Sequence, residues 1–359
     1  MSQANIILNP QSRIPLLKSQ LSAPPGPEPQ LPISKSHTHP SNSKNEASTS
    51  PGSSRSPNDG SVYFIGNATT LIEWHNIRLL TDPNFLHAGD HVHLGPGVTA
   101  ERLHNPIVDM DGLPAIDSIL LSHYHEDHFD RAVEDSLNRQ FPIITTPHAK
   151  KCLSTKTDPF TSVYAVDFFQ NVTLALPATT GDKGNKKTPK IKVTGMPGKH
   201  VPPGPLSIAN DLLKAVPPTN GWLLELGYEN PSSGTEDKFE PGYRVYISGD
   251  TLFVDELKQI PEWLRGEKID LMLVHLGGTT IPGPKAPLVM VTMDGRQGVQ
   301  LMRLVEPDVT IPIHFDDYSV FLSGLEDFRK EVEAAGLGGK VVYLDRGEEY
   351  RFAVREGEA

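Results

Sequence analysis

The chain has 359 residues, a formal net charge of −11 and a single cysteine, Cys152. That acidic balance argues against a surface built to neutralise nucleic-acid phosphates, and a lone thiol excludes both an internal disulfide and a cysteine-rich zinc module. No apolar run approaches the roughly 20 residues of a membrane helix, so a bilayer span is excluded and the cytoplasm is the expected location. From Met1 to about Asp59 the residues are mainly Ser, Pro, Asn and Gln, in runs such as SAPPGPEPQLP. This stretch buries too little apolar surface to offset the entropy of ordering and reads as a disordered tail. Arg13 and Lys18, with no acid before Glu28, leave mitochondrial targeting as a minor alternative, although Pro10 and Pro15 break the amphipathic helix such a signal needs.

Residues 60–359 read as one domain. Its first strands are SVYFIG, TTLIEW, IRLLTDP and DSILLSH, followed by a helix over about 131–139, the strand IITT and a helix near His148. The strands VTLALPA, KIKVTGM, GWLLELGY and YRVYISGD come next, with polar Gly-rich hairpin loops at 181–190 and about 230–242. Helical signals at 254–265 and 295–304 precede the strands DLMLVHL and VTIPIHF, and a last helix at 325–335 leads to KVVYLDR and EYRFAV. Strands polar on one side, interleaved with two clusters of helices, predict a mixed α/β fold in four αββα layers.

The chemistry concentrates in His123-Tyr124-His125-Glu126-Asp127-His128, directly after an apolar strand. Alternate residues at a strand end project to one side, so His123 and His125 can share a metal, while the following turn brings Asp127 and His128 to a second. Imidazole and carboxylate ligands suit zinc first, with manganese or iron as alternatives. His75, His87, His91, His93, His104 and His148 lie on turns or polar stretches and read as surface or hydrogen-bonding residues. Asp82, which closes an early strand, reads as fixing a turn or accepting a hydrogen bond from a ligand histidine, Asp316 and Asp317 as doing the same beside His314, and Cys152 as a buried or half-buried thiol. No GxSxG elbow, Walker loop or dinucleotide loop offers another chemistry.

The HxHxDH run resembles the signature of the metallo-β-lactamase superfamily. GNATTLIEWHNIRLLTDPNF and LPAIDSILLSHYHEDHFD look like the branch containing N-acylphosphatidylethanolamine-hydrolysing phospholipase D and ascorbate-6-phosphate lactonase-like enzymes. The resemblance implies that His200, in VTGMPGKHVPPG, completes the first metal site. It implies too that Asp250, in VYISGDT, bridges both metals, and that His314, in VTIPIHFDD, closes the second site. His275, in LMLVHLGG, ends a strand aimed at the same rim and is expected to touch substrate. The activity implied is hydrolysis of an ester, lactone or phosphodiester in a small soluble molecule, by a hydroxide held between two divalent metals, with Asp127 orienting it and taking its proton. An iron-dependent redox enzyme and a non-catalytic metal-binding scaffold are the competing readings. Deleting the residues before about Asp59 is expected to leave folding and hydrolysis intact.

Overall fold

Short runs of β-branched and aromatic residues, closed by Gly, Pro, Asn and Asp, set the strand pattern of the whole chain. The structure, a computed structural model, describes residues 4–22, 26–40, 56, 58–95, 97–177, 187–204, 210, 216–229, 238–281 and 289–356. The first strands are β1 (Ala4–Ile7), β2 (Lys35–His37), β3 (Asp59–Gly66), β4 (Thr69–Trp74), β5 (Ile77–Thr81), β6 (His91–Gly95), β7 (Val98–Glu101), β8 (Ser118–Leu121), β9 (Ile143–Thr145) and β10 (Val163–Ala165). Then come β11 (Asn171–Ala175), β12 (Thr188–Met196), β13 (Gly221–Glu229), β14 (Phe239–Ile247), β15 (Leu271–His275), β16 (Gly277–Ile281), β17 (Val289–Met290), β18 (Val309–Ile313), β19 (Phe321–Ser323) and β20 (Glu348–Ala353). The α-helices among the described residues are α1 (Arg131–Ser136), α2 (Pro147–Ser154), α3 (Gln259–Leu264), α4 (Gly295–Val305) and α5 (Leu325–Ala334).

One sheet has eight strands in the order β10-β9-β8-β5-β4-β3-β20-β2, and the other has seven in the order β1-β11-β12-β13-β14-β15-β18. Their facing sides share one core, with Phe64, Trp74 and Leu120 from the first sheet against Val193, Leu224 and Ile311 from the second. Alternate side chains turn outward: Leu223, Tyr246 and Met272 pack under α3, α4 and α5 with Ile260, Met302 and Phe328. Leu71, Ile119 and Leu121 pack likewise under α1 and α2 with Val133 and Leu153. The result is the four-layer αββα sandwich. Because helices cover both outer faces, central strands such as β8 and β15 are buried at every residue, and their apolar runs are continuous rather than alternating.

Parallel strands decide where the site lies. β5, β8 and β9 run parallel in the first sheet, as do β14, β15 and β18 in the second, so each set delivers its C-terminal loops to one edge.

Two expectations need correction. Parts of the N-terminal 59 residues, expected to be disordered, pair with the domain: β1 lies parallel to β11 and β2 parallel to β20. Ile6 and Leu8 join the central core, Leu16 and Leu17 the cluster under α1, and Arg13 forms an ion pair with Asp117 at 2.9 Å. The physical reason is local: NIIL and PLL are short apolar runs that finish a sheet edge and a groove, and a composition averaged over 59 residues conceals them. Residues 41–55 of that stretch lie outside the described residues, as do 181–186 and 230–237 of the two expected hairpin loops. KVVYLDR is the second correction, since its only ladder contact is an isolated β-bridge of Val341 to Thr310, whose carbonyl accepts the Val342 amide at 2.9 Å, while the side chains of Val342 and Leu344 are buried in the core.

Candidate metal centre

The ends of β8, β12, β14 and β18 converge. Beyond β8, the backbone turns over His125, whose carbonyl accepts the amides of His128 and Phe129 at 3.1 and 2.8 Å. Asp130 then caps α1 through the Val133 amide at 2.8 Å, so the motif is clamped between a strand end and a helix start. Beyond β14, Gly249 adopts φ +62°, and a Cβ there would meet the Asn220 carbonyl oxygen at 2.3 Å, which explains the glycine before Asp250. His200 follows β12, and His314 follows β18 with φ 59°, donating its amide to the Asn67 carbonyl at 3.0 Å.

These elements bring two groups of side chains together. In one, ligand atoms of His123, His125 and His200 all lie within 4.8 Å of one another; in the other, the same holds for Asp127, His128, Asp250 and His314. Asp250 faces both groups, with Oδ1 3.3 Å from His128 Nε2 and Oδ2 3.9 Å from His200 Nε2.

Hydrogen bonding behind the histidines fixes which nitrogen is free. Nδ1 of His123 meets Ser122 Oγ at 2.9 Å, Nδ1 of His200 the Val291 carbonyl at 2.5 Å, and Nδ1 of His314 the Leu276 carbonyl at 3.1 Å. Nδ1 of His128 lies 3.2 Å from Asp82 Oδ2, and Asp82 Oδ1 accepts the Ser122 amide at 2.6 Å. Nε2 of His123, His125 and His314 is buried without a hydrogen-bond partner among the described residues, while Oδ1 of Asp127 and of Asp250 meets only the neighbouring ligand candidates, His125 Nδ1 at 2.8 Å and His128 Nε2 at 3.3 Å. Each such buried atom costs about 1–3 kcal/mol when unsatisfied. So many inward lone pairs, backed by oriented Nδ1 atoms, fit divalent cations.

The electrostatics agree with that reading. Burial pushes His123 well below its usual range, and the neighbouring charges of His128 and His200 add to it. Burial also drives His200 down to about 4, against the pull of Asp250. Burial acts on His128 in the same direction, but Asp250, Asp127 and Asp82 together outweigh it and raise this histidine well above its ordinary value. In the carboxylates Asp127 and Asp250, burial is outweighed by the surrounding histidines, which hold both well below the usual range.

His275, expected to touch substrate, lies beside Asp82 and His128. It is fully buried, with Nε2 3.7 Å from Asp82 Oδ2 and its ring 5.8 Å from that of His128 and 5.7 Å from that of His314. Asp82 stands behind His128 as expected. Asp317 acts one step further back, accepting the Asn67 amide at 2.7 Å, while Asp316 pairs with Arg346 at 2.6 Å. His75 bonds the Tyr228 hydroxyl at 2.9 Å and His87 meets Asp109 at 2.7 Å, in keeping with hydrogen-bonding roles. Cys152 is half-buried, its thiol pushed up by burial.

Sequence reasoning passed over three supporting residues. Arg102 is wholly buried, pairs with Asp317 at 2.9 Å and donates to Asn84 Oδ1 at 3.0 Å. Asn84 Nδ2 donates to the Glu126 carbonyl and Asn67 Nδ2 to the Asp127 carbonyl, at 2.9 and 2.6 Å, so both amides hold the motif's backbone. The sequence signal for them is thin: polar residues between an apolar strand and a turn, in GNATT, TDPNF and ERLHN.

Comparison with known proteins follows the same outline. Residues 78–315 match the family described as the beta-lactamase superfamily domain. The chain belongs to that superfamily. The matched interval holds all seven ligand candidates and ends at Phe315, one residue past His314. This superfamily member is 29% identical over 291 residues to a UPF0173 metal-dependent hydrolase of Archaeoglobus fulgidus, covering 81% of this chain and 98% of that protein. Among solved structures it is similar to an isothiocyanate hydrolase from Delia radicum gut bacteria, with TM-score 0.61, 15% identity and coverage of 82% of this chain and 100% of that one. A possible metal-dependent hydrolase from Veillonella parvula gives TM-score 0.58 at 18% identity, covering 80% and 98%. At such identities the two structures speak for the shared fold.

Proposed function

We propose that this chain is a metal-dependent hydrolase that holds two divalent cations, zinc first among them, and cleaves an ester, lactone or phosphodiester bond in a small molecule. His123, His125 and His200 would hold one cation, and Asp127, His128, Asp250 and His314 the other. The observation that carries this is the set of buried, inward-facing nitrogen and oxygen atoms that have no hydrogen-bond partner or meet only one another. The Archaeoglobus relative's name, metal-dependent hydrolase, supports the same class. Cations bound there supply the charge that acidifies a water towards neutrality and polarises the oxygen of the bond to be broken.

The chain's own residues supply orientation and proton transfer. Asp127 stands 2.8 Å from His125 Nδ1 and 3.7 Å from His314 Nε2, at the junction of the two groups, where its carboxylate can orient a water and take its proton. Asp82 fixes the ring of His128, and Thr292 Oγ1 donates to Asp250 Oδ2 at 3.0 Å, fixing that carboxylate. His275 belongs with this supporting layer rather than with substrate. The resemblance to phospholipase D and lactonase enzymes of the superfamily makes lactones and phosphodiesters the first substrates to try. No helix among the described residues is long and apolar enough to cross a membrane.

Elemental analysis of the wild type and of Asp250→Ala, beside lactone, phosphodiester and thioester substrates, tests the proposal. About two zinc or manganese ions per chain, lost in the variant together with hydrolysis, is the expected result. Less than one metal per metal-replete wild-type chain would overturn it.

A further inference from the structure

We propose that the cavity beside His125 is a subsite for an anionic group of the substrate, a carboxylate or phosphate, anchored by Lys156. The inference rests on the hydrolase reading above and names the substrate class of that site. The cavity encloses about 650 Å³, the size of a small-molecule site, and has His125 in its wall.

Its charged groups are not equally available to a ligand. Glu134 is almost wholly buried; one of its oxygens accepts the Tyr124 hydroxyl at 2.7 Å and the other takes the Lys156 ammonium. Glu126 gives one oxygen to Arg131 and the other to the His93 amide at 2.7 Å. Both carboxylates are therefore spent within the protein. The cations are not. Lys156 directs two of its three N–H groups to Glu134 and the Tyr124 hydroxyl, and its side chain stays 38% exposed. Arg131 uses Nε and Nη2 on one oxygen of Glu126 and keeps the rest of its guanidinium in solvent. Asp135, the third acid of the lining, is exposed, where water and salt screen it.

Position separates the two cations. Lys156 Nζ sits at the hydroxyl end of the Tyr124 ring, 5.0 Å from its centroid, held there by the buried Glu134 and the half-buried Tyr124, so its ammonium is positioned before a ligand arrives. Arg131 is 73% exposed, a place from which it can attract an anion but fix little. The Tyr124 and Phe129 rings, 6.3 Å apart, give the wall an apolar face for the body of the ligand. A substrate would then lie with its scissile bond at the ligand histidines and its anionic end on Lys156.

The test uses the full chain, zinc-loaded, with two pairs of reporter esters: 4-nitrophenyl hydrogen glutarate against its methyl ester, and 4-nitrophenyl 4-phosphonobutyrate against its dimethyl phosphonate. The wild type should favour the charged member of at least one pair by roughly tenfold in kcat/KM, and which pair shows it separates carboxylate from phosphate chemistry. Lys156→Met should remove the preference while leaving the neutral esters' rates unchanged. Because that change strands Glu134, the double variant Lys156→Met/Glu134→Gln is measured too and should behave alike. Equal kcat/KM within both pairs in the wild type, or a preference that survives in both variants, would overturn the proposal. Should none of the four esters be cleaved, the hydrolase reading is decided by the metal content and the lactone and phosphodiester panel above, while calorimetric titration with monomethyl glutarate and methylphosphonate decides the subsite. Binding of either anion that Lys156→Met weakens supports it; no binding, or equal binding, overturns it.

Discussion

His128 carries opposing demands in the metal-free centre. Burial favours its neutral form, but Asp250, Asp127 and Asp82 outweigh burial and raise it well above its usual value, so in the absence of metal the ring holds a proton between carboxylates. A metal must expel that proton to bind. A folded-state value that is raised extends the competition to higher pH, and affinity at the second half-site should therefore rise with pH through neutrality and fall as the solution is acidified. Calorimetry of zinc binding in buffers of different ionisation enthalpy should show net proton release; binding without release would contradict this account. Asp82→Asn keeps the size of the side chain and removes its charge and its hold on the ring. Zinc affinity of the second half-site should drop by about 10–100-fold with the fold unchanged by circular dichroism.

At the scale of elements, backbone geometry rather than side-chain chemistry is the sensitive point. Gly249 sits at φ +62° with the Asn220 carbonyl where a Cβ would go, so Gly249→Ala must displace either β13 or the Asp250 turn. A left-handed residue costs about 1–2 kcal/mol, and overpacking of a tight site about 1–3 more. Gly89 also has positive φ, at 92°, but nothing lies within 4 Å of its would-be Cβ. Gly89→Ala should lose only the backbone cost and keep its metal, whereas Gly249→Ala should lose stability and metal together. Equal metal content in the two variants would show that the Asp250 turn tolerates the shift. The same contrast explains what the sequence made legible. The six residues from His123 to His128 are local, so strand alternation and one turn suffice to read them. His200 and His314 were placed by resemblance, because no spacing rule links them to the motif. The buried Arg102 and the amides of Asn67 and Asn84 have neither period nor motif, and only the folded loops show what they hold.

Across the whole molecule, the N-terminal segment closes what the sandwich leaves open. β1 adds an edge to one sheet, β2 adds an edge to the other, and Arg13 with Leu16 and Leu17 ties the stretch between them to Asp117 and the groove under α1. Burying Ile6 and Leu8 contributes about 3–6 kcal/mol before the entropy of ordering the segment, which offsets much of it. Deleting residues 1–22 should therefore lower stability by about 1–3 kcal/mol, a net figure well below the gross burial. Metal content should hold, since none of the ligand candidates lies in or beside the segment. Ile6→Ser/Leu8→Ser in the full chain provides the internal check. A segment that can peel away from β11 limits the damage to its own docking free energy, so the double variant must lose no more than the deletion does. Denaturant unfolding of the three proteins measures both quantities. A deletion as stable as the full chain would mean that the pairing of β1 with β11 contributes nothing, and a double variant worse than the deletion would mean that the segment cannot detach.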